Sequence, residues 1–238
     1  MKLTHRLAAV ALSFSAIAAQ ADVTGTVTAA SDYDFRGITQ TSLDPALSGS
    51  IDYAHDSGFY AGAWASNIDF GDCCDENFEI DVYGGFRGGE TVTYDLGLVY
   101  YTYPGAEYDN GDSLHFGELY AGLGWNWLSG KIWYSPDFGN ADESAMYYEA
   151  NASVPLPANF GATAHVGYSD GGYWDEFYDG GYMDWSVGVT YPLSHFNLTL
   201  KYIDGSDLEA TDGTPDDVFT SESKVYFSVS TTFPWSKE

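Results

Sequence analysis

The segment SDYDFRGITQT, residues 31–41, alternates three charged side chains with two aromatic rings. Successive side chains of a β-strand point to opposite faces, so a strand here places Asp32, Asp34 and Arg36 on one face. Tyr33 and Phe35 then take the other face. The segment therefore predicts a wall with one hydrated, charged side and one apolar side.

The same alternation through the rest of the chain predicts a charged interior with an excess of acids. Such an interior concentrates cations and repels anions, and salt screens the effect over about 8 to 10 Å. Nine candidates are acids, three are bases, and His165 is of undetermined charge. The thirteen candidates are Asp32, Asp34, Arg36, Asp52, Glu79, Asp81, Arg87, Asp95, Glu118, Glu149, His165, Asp184 and Lys201.

A structural role for these residues is the alternative to ion selection. Barrels with few strands fill much of their interior with side chains, so the acids can simply pair with the bases and with tyrosine hydroxyls. For Arg36 we expect a partner in Asp32 or Asp34 on the same face, or on a neighbouring strand.

Period-two alternation is the dominant pattern of the chain, and no segment keeps the apolar spacing of a helix for three turns. Twelve strands are predicted, at about residues 22–36, 46–55, 58–67, 77–87, 91–103, 114–125, 130–136, 145–155, 160–169, 182–192, 196–204 and 224–233. The short connections HDSG, RGGE, WLSG, PLPAN and PLSH alternate with long ones. All the long loops therefore fall at one end.

An even number of strands with short turns at one end and long loops at the other is typical of outer-membrane barrels. Aromatic residues also bracket the apolar rows, as they do where a membrane meets water. We predict an all-β transmembrane antiparallel up-and-down β-barrel of twelve strands, with Tyr33 and Phe35 near the outer aromatic girdle. The bracketing pairs are Phe78 and Phe86, Phe160 and Tyr168, Trp185 and Tyr191, Phe196 and Tyr202, and Phe227 and Phe233. A soluble β-sandwich or lipocalin-like barrel also alternates, but it does not require rings at both ends of each row.

The first residues read as an export signal. Lys2 and Arg6 precede an apolar run that ends in the small-x-small pattern at residues 19–21. We predict a signal peptide at 1–21, one barrel domain at 22–238, and a location in the outer membrane of a Gram-negative bacterium. The remaining chain has six basic residues against 35 acids, a net charge of −29, which makes nucleic acid an improbable partner.

Catalytic and metal-binding signals are weak. No G-x-S-x-G motif occurs, and His165 is the one histidine of the exported chain predicted to point inside, so neither an enzyme nor a cofactor is predicted. The long loops hold 22 of the 35 acids, which can attract Ca²⁺ or Mg²⁺, but the 204–223 loop lacks the ligand spacing of an EF-hand. Cys73 and Cys74 lie side by side in an outer loop, which leaves open a vicinal disulfide, an intermolecular link or a soft-metal contact.

Several motifs resemble those of one family. These are S-x-Y-x-F-R-G-I-T-Q at 31–40, G-F-Y-x-G-x-W-x-S-N at 58–67, E-x-D-x-Y-x-G at 79–85, E-x-Y-x-G at 118–122 and Y-S-P at 134–136. Together they resemble the TorF family of porins, also called the Gcw_chp family, over nearly the whole exported chain. The resemblance implies a secreted barrel of the Gram-negative outer membrane that acts as a channel. It implies no substrate and no catalytic residue.

The predicted function is a porin-like channel for passive diffusion of small, preferentially cationic or neutral solutes. Its expected partners are outer-membrane lipid, the outer-membrane assembly machinery and those solutes. The alternative is a non-conducting barrel that acts as a surface receptor, adhesin or ion-binding protein through its acidic loops. The sequence leaves open the solute, the oligomeric state and a metal site.

Overall fold

A computed structural model describes residues 22–71, 77–107, 111, 113–178, 180–206 and 221–235. The predicted signal peptide, Cys73, Cys74 and most of the 204–223 loop lie outside the described residues. The predictions made for those segments therefore stay predictions. Among the described residues, no helix is long and apolar enough to span a membrane.

Twelve antiparallel strands form the wall of a closed barrel, as predicted, and a small two-stranded hairpin stands apart from it. Each wall strand pairs with its neighbours along the chain, and β1 also pairs with β14 to close the wall. The wall strands are β1 (Asp22–Ala30), β4 (Ala46–Ala54), β5 (Phe59–Asn67), β6 (Phe78–Gly88), β7 (Val92–Thr102), β8 (Phe116–Trp125), β9 (Leu128–Ser135), β10 (Ala145–Pro155), β11 (Gly161–Asp170), β12 (Tyr182–Leu193), β13 (Phe196–Gly205) and β14 (Lys224–Phe233). The hairpin is β2 (Asp34–Phe35) with β3 (Ile38–Thr39), and one short helix, α1 (Gly172–Phe177), lies in a long loop.

The outward rows of the wall are apolar and the inward rows are polar, which is the reverse of a soluble barrel. Leu47, Leu123 and Val225 are each more than 60% exposed, whereas Glu118 and Asp184 are 2% exposed. Because no second protein layer covers the outward rows, lipid must cover them. The predicted girdle rings that are exposed in these rows are Phe78, Phe160, Tyr168, Phe196, Tyr202, Phe227 and Phe233.

Most strand ends lie within two residues of the prediction, and the first strand and one short turn differ in ways that affect the interpretation. The first strand ends at Ala30 and does not continue to residue 36, because the chain turns back at Arg36 and Gly37, which both have positive φ (55° and 84°). Positive φ at both central residues is the geometry of a type I′ hairpin turn. The predicted turn WLSG is also wrong: β9 already begins at Leu128, and the turn consists of residues 126–127.

The placement of Tyr33 and Phe35 in the lipid-facing girdle is therefore wrong. Both rings pack against a buried, aromatic-rich cluster inside the outer end of the barrel. The members of that cluster are Ile38, Ile68, Phe70, Val99, Tyr101, Tyr103, Ala106, Phe116, Phe138, Ala145, Trp174 and Tyr182. The segment leaves the wall, so its alternation no longer separates lipid from water.

Candidate functional site

The main internal feature is the inner hairpin, residues 31–41, whose tip carries Arg36 across the barrel. The Arg36 guanidinium donates two hydrogen bonds to the Glu118 carboxylate on β8, at 2.9 and 2.6 Å. It also lies 4.3 Å from the ring centroid of Tyr147 on β10 and 5.6 Å from that of Trp133 on β9. The expectation that Arg36 pairs with Asp32 or Asp34 is wrong, because the turn aims its side chain at the far wall.

The base of the inner hairpin is fixed to β14 by a lysine. Lys224 Nζ lies 2.5 Å from Asp32 Oδ2 and 2.8 Å from Asp34 Oδ1. Hydroxyls from the second half of the hairpin, on Thr39 and Thr41, donate to the other Asp32 oxygen at 2.5 and 3.0 Å. Buried charges are tolerated when they are paired, and Lys224 supplies the pairing here, while the two hydroxyls hydrogen-bond Asp32.

Further contacts tie the inner hairpin to other parts of the wall. The Tyr33 ring packs on Trp64 of β5, with centroids 5.1 Å apart, and its hydroxyl donates to Glu79 of β6. On the opposite side, the Tyr182 hydroxyl donates to the Arg36 carbonyl at 2.9 Å. The hairpin is thus held from both sides and narrows the interior at its level.

A second charged layer follows one register line around the wall. Arg87 faces Asp95, Lys131 faces Glu149, and Gly122 lies between these pairs. Lys131 Nζ lies 3.3 Å from Asp95 Oδ2 because Gly122, with no side chain, leaves room for its stem. Arg87 stacks over the Tyr60 ring at 5.1 Å and has no ion-pair partner in the described residues.

The remaining members of this layer surround a histidine. His165 Nε2 lies 2.9 Å from Asp184 Oδ1 and 2.9 Å from the Tyr147 hydroxyl, while Nδ1 lies 2.7 Å from Asn151 Oδ1. Glu149 Oε1 accepts from the Trp133 indole at 2.9 Å. The partners of the two ring nitrogens are thus Asp, Tyr and Asn side chains, and no serine hydroxyl of the described residues hydrogen-bonds His165.

Three acids differ from the others because they have no basic partner among the described residues. Asp52 accepts hydrogen bonds from the Ser50 and Tyr83 hydroxyls. Glu79 and Asp81 are 1% and 7% exposed, and one oxygen of each has no hydrogen-bond partner.

Two interior bases were missed by the sequence prediction. Lys131 and Lys224 share a face with Trp133 and Tyr226, two positions later in the same strands, so the alternation that identified the other candidates also applied to them. With both included, the inward charges of the described residues are nine acids and five bases, besides His165. Lys201, the remaining base, stacks over the Tyr226 ring at 5.8 Å.

The space beside the inner hairpin forms a cavity of about 200 Å³. Its walls come from β1, β4, β5, β13 and β14, and the hairpin closes it on the inner side. Among the described residues, no group of three or more His, Cys, Asp or Glu side chains is arranged to hold a metal ion.

A closed antiparallel barrel with apolar outward rows and a charged interior is an outer-membrane β-barrel of the porin type. The chain belongs to the Gcw_chp family, described as bacterial proteins of unknown function, whose sequence profile matches residues 15–233. The predicted resemblance is thereby confirmed.

Solved structures with the same fold include porins. The NanC porin superposes with a TM-score of 0.57 at 9% identity, covering 89% of this chain and 100% of that one. The KdgM porin superposes with a TM-score of 0.51 at 7% identity, covering 90% and 99%. At these identities the likeness shows the fold alone. No curated protein sequence matches the chain.

Proposed function

We propose that this barrel is a porin-like channel for the passive diffusion of small, preferentially cationic or neutral solutes. The observation that carries the proposal is the surplus of acids inside, nine against five bases, of which Asp52, Glu79 and Asp81 have no base within ion-pair distance in the described residues. In a confined interior, uncompensated carboxylates raise the local cation concentration and repel anions. The proposal includes outer-membrane lipid and the assembly machinery as partners.

The uncompensated acids lie on one side of the barrel. In the strand register Glu79 faces Ser66, and Asp81 faces Trp64. Directly opposed side chains in an antiparallel pair lie about 4.5 to 5.5 Å apart at Cβ. Because Ser66 and Trp64 also line the cavity beside the inner hairpin, the acids and the open space adjoin. A route along β4, β5 and β6 therefore passes both this cavity and the acids that have no basic partner in the described residues.

The inner hairpin sets the size limit in this proposal. Its ion pairs to Lys224 and Glu118 anchor both its ends, so it restricts the cross-section much as an inward-folded loop does in other channels. We expect a small conductance that excludes bulky solutes.

The test is conductance in planar bilayers with the refolded exported chain across a salt gradient. The informative variant is Glu79→Gln/Asp81→Asn, which removes two uncompensated carboxylates without leaving a base unpaired. Asp56→Asn/Glu90→Gln is the matched control, because both of those acids are exposed in short turns.

We expect cation preference in the unmodified protein, a reversal potential closer to zero in the interior variant, and no such shift in the control. Anion preference, or equal shifts in both variants, would refute the acidic-interior proposal. Refolding is checked by heat-modifiable gel mobility before each recording.

A non-conducting barrel is the second candidate, and one observation favours it. The inner hairpin and the aromatic cluster fill much of the outer end, where Phe138 stacks with Phe116 and Tyr173. In this alternative the acidic loops act as a receptor, adhesion or ion-binding surface. A correctly folded barrel that stays silent in the bilayer, with its inner hairpin intact, would favour this candidate over the channel.

A further inference from the structure

The cavity beside the inner hairpin carries separated charges on opposite sides. The wall side presents Lys201, and the hairpin side presents Asp32 and Asp34. Trp64 and Ser66 of β5 line the same cavity.

Lys201 is the base in this region without an acidic partner. No carboxylate oxygen of the described residues lies within 4.0 Å of its Nζ, whereas Arg36 and Lys131 each have an acidic partner and Lys224 has two. Its ammonium packs over Tyr226, which lines the same cavity. An ammonium in such a position can bind an anionic group of a solute at little cost, since no internal ion pair has to be broken.

The hairpin side supplies the opposite charge. Asp32 and Asp34 share the single ammonium of Lys224, so one negative charge is left over. Asp34 is the more accessible of the two, with 20% of its side chain exposed against 5% for Asp32. Ser66 Oγ is buried and has no hydrogen-bond partner in the described residues, so it too can bind a solute.

From this juxtaposition we propose that the cavity is a binding site for a small zwitterion of the α-amino-acid type. Lys201 binds the carboxylate, Asp34 binds the ammonium, and Trp64 packs against the aliphatic part. The lining charges together with Lys224 sum to zero, which matches a solute of zero net charge. This inference rests on the proposed function, because the solute reaches the cavity through the channel.

The cavity volume limits the size of the solute. A protein cavity of about 150 Å³ holds benzene, so about 200 Å³ accepts a solute on the order of six to nine non-hydrogen atoms. L-valine falls in this range. Isobutylamine is valine without its carboxylate, and isovalerate is valine without its ammonium, so the three form a matched set of probes.

The experiment is isothermal titration calorimetry of the folded exported chain in detergent micelles with each of the three probes. We expect valine to bind about ten-fold or more tightly than either single-charge probe, because each charge-assisted contact contributes to affinity. Lys201→Met should weaken valine about ten-fold and leave isobutylamine unchanged. Arg87→Met is the matched control, since it also removes an interior base without an acidic partner, but far from the cavity.

Equal affinity for valine and isobutylamine, or equal losses in Lys201→Met and Arg87→Met, would overturn the assignment. If Lys201→Met fails to fold, Lys201→Gln replaces it with the same expected direction. Binding in micelles does not require conduction. Saturable valine binding by a barrel that carries no current would therefore refute only the channel proposal. A conducting barrel without selective valine binding sinks only this inference.

Discussion

The Arg36–Glu118 pair allows the position of the inner hairpin to be tested by a double-mutant cycle. The pair is bidentate and its side chains are 7% and 1% exposed, so solvent screens it little. Removing one partner of a buried ion pair costs about 3 to 5 kcal/mol, because the other charge is left buried. Arg36→Met should fall near the lower end, since Glu118 keeps the hydrogen bond from the Tyr101 hydroxyl at 2.9 Å.

Glu118→Gln should cost less, about 1.5 to 3 kcal/mol, the range for a hydrogen bond to a charged group, because the glutamine oxygen still accepts a hydrogen bond from Arg36. The double variant should cost little more than the larger single one, because neither charge is then left alone. We therefore expect a coupling energy of about 2 kcal/mol or more in the free energy of unfolding. Urea unfolding in lipid vesicles, followed by the fluorescence of the seven tryptophans, measures it.

Arg87→Met combined with Glu118→Gln is the control cycle. Arg87 lies in the second charged layer, where it stacks on Tyr60 and does not pair with Glu118. Independent sites add within about 0.5 kcal/mol, and we expect this control to do so. If the Arg36–Glu118 cycle were additive to the same degree, the hairpin would not cross the interior as described, and the size limit proposed for the channel would lose its basis.

Three further outcomes follow from the same contacts. Replacing residues 32–40 with a short Gly-Ser linker should raise single-channel conductance severalfold, because the wall strands on either side are kept; unchanged conductance would show that the hairpin does not restrict the route. Lys224→Met should destabilise the barrel by about 3 kcal/mol or more, because two buried carboxylates lose their base, and should strengthen cation preference in the reversal potential. Gly37→Ala should lower the free energy of unfolding by about 1 to 3 kcal/mol, because φ is 84° there and a Cβ would lie 2.6 Å from the Cβ of Asp184. An unchanged urea midpoint would contradict this close approach.

The wall of this barrel could be predicted from sequence because each strand has a different environment on each of its two faces. Lipid outside and water inside impose a period of two on every strand, and the short turns reveal the order. Residues 31–36 kept that period although they had left the wall, so the alternation alone gave the wrong strand end. Only the turn at Arg36 distinguishes the two cases, and a non-glycine residue at positive φ is not evident from one sequence.

The interior could be predicted only as a composition. Alternation assigns a side chain to a face but gives no distance across a barrel. The ion pairs of Arg36 with Glu118 and of Lys224 with Asp32 could therefore not be predicted. Lys131 and Lys224 were available to the same reasoning, since each precedes an inward aromatic residue two positions later. Including them reduces the predicted acid surplus but does not remove it.

In the proposed channel, the pairing of charges also determines which part of the barrel discriminates between solutes. Arg36, Lys131 and Lys224 neutralise acids on β8, β7 and the inner hairpin, so those charges act mainly on each other. The acids without a basic partner in the described residues lie on β4 and β6, and the two on β6 face the cavity-lining residues Ser66 and Trp64. The hairpin contacts this same side through Tyr33, which packs on Trp64 and donates to Glu79. Ion selectivity should therefore respond to substitutions on β4, β5 and β6. It should be far less sensitive to replacement of the paired charged residues on β7 and β8 by uncharged residues.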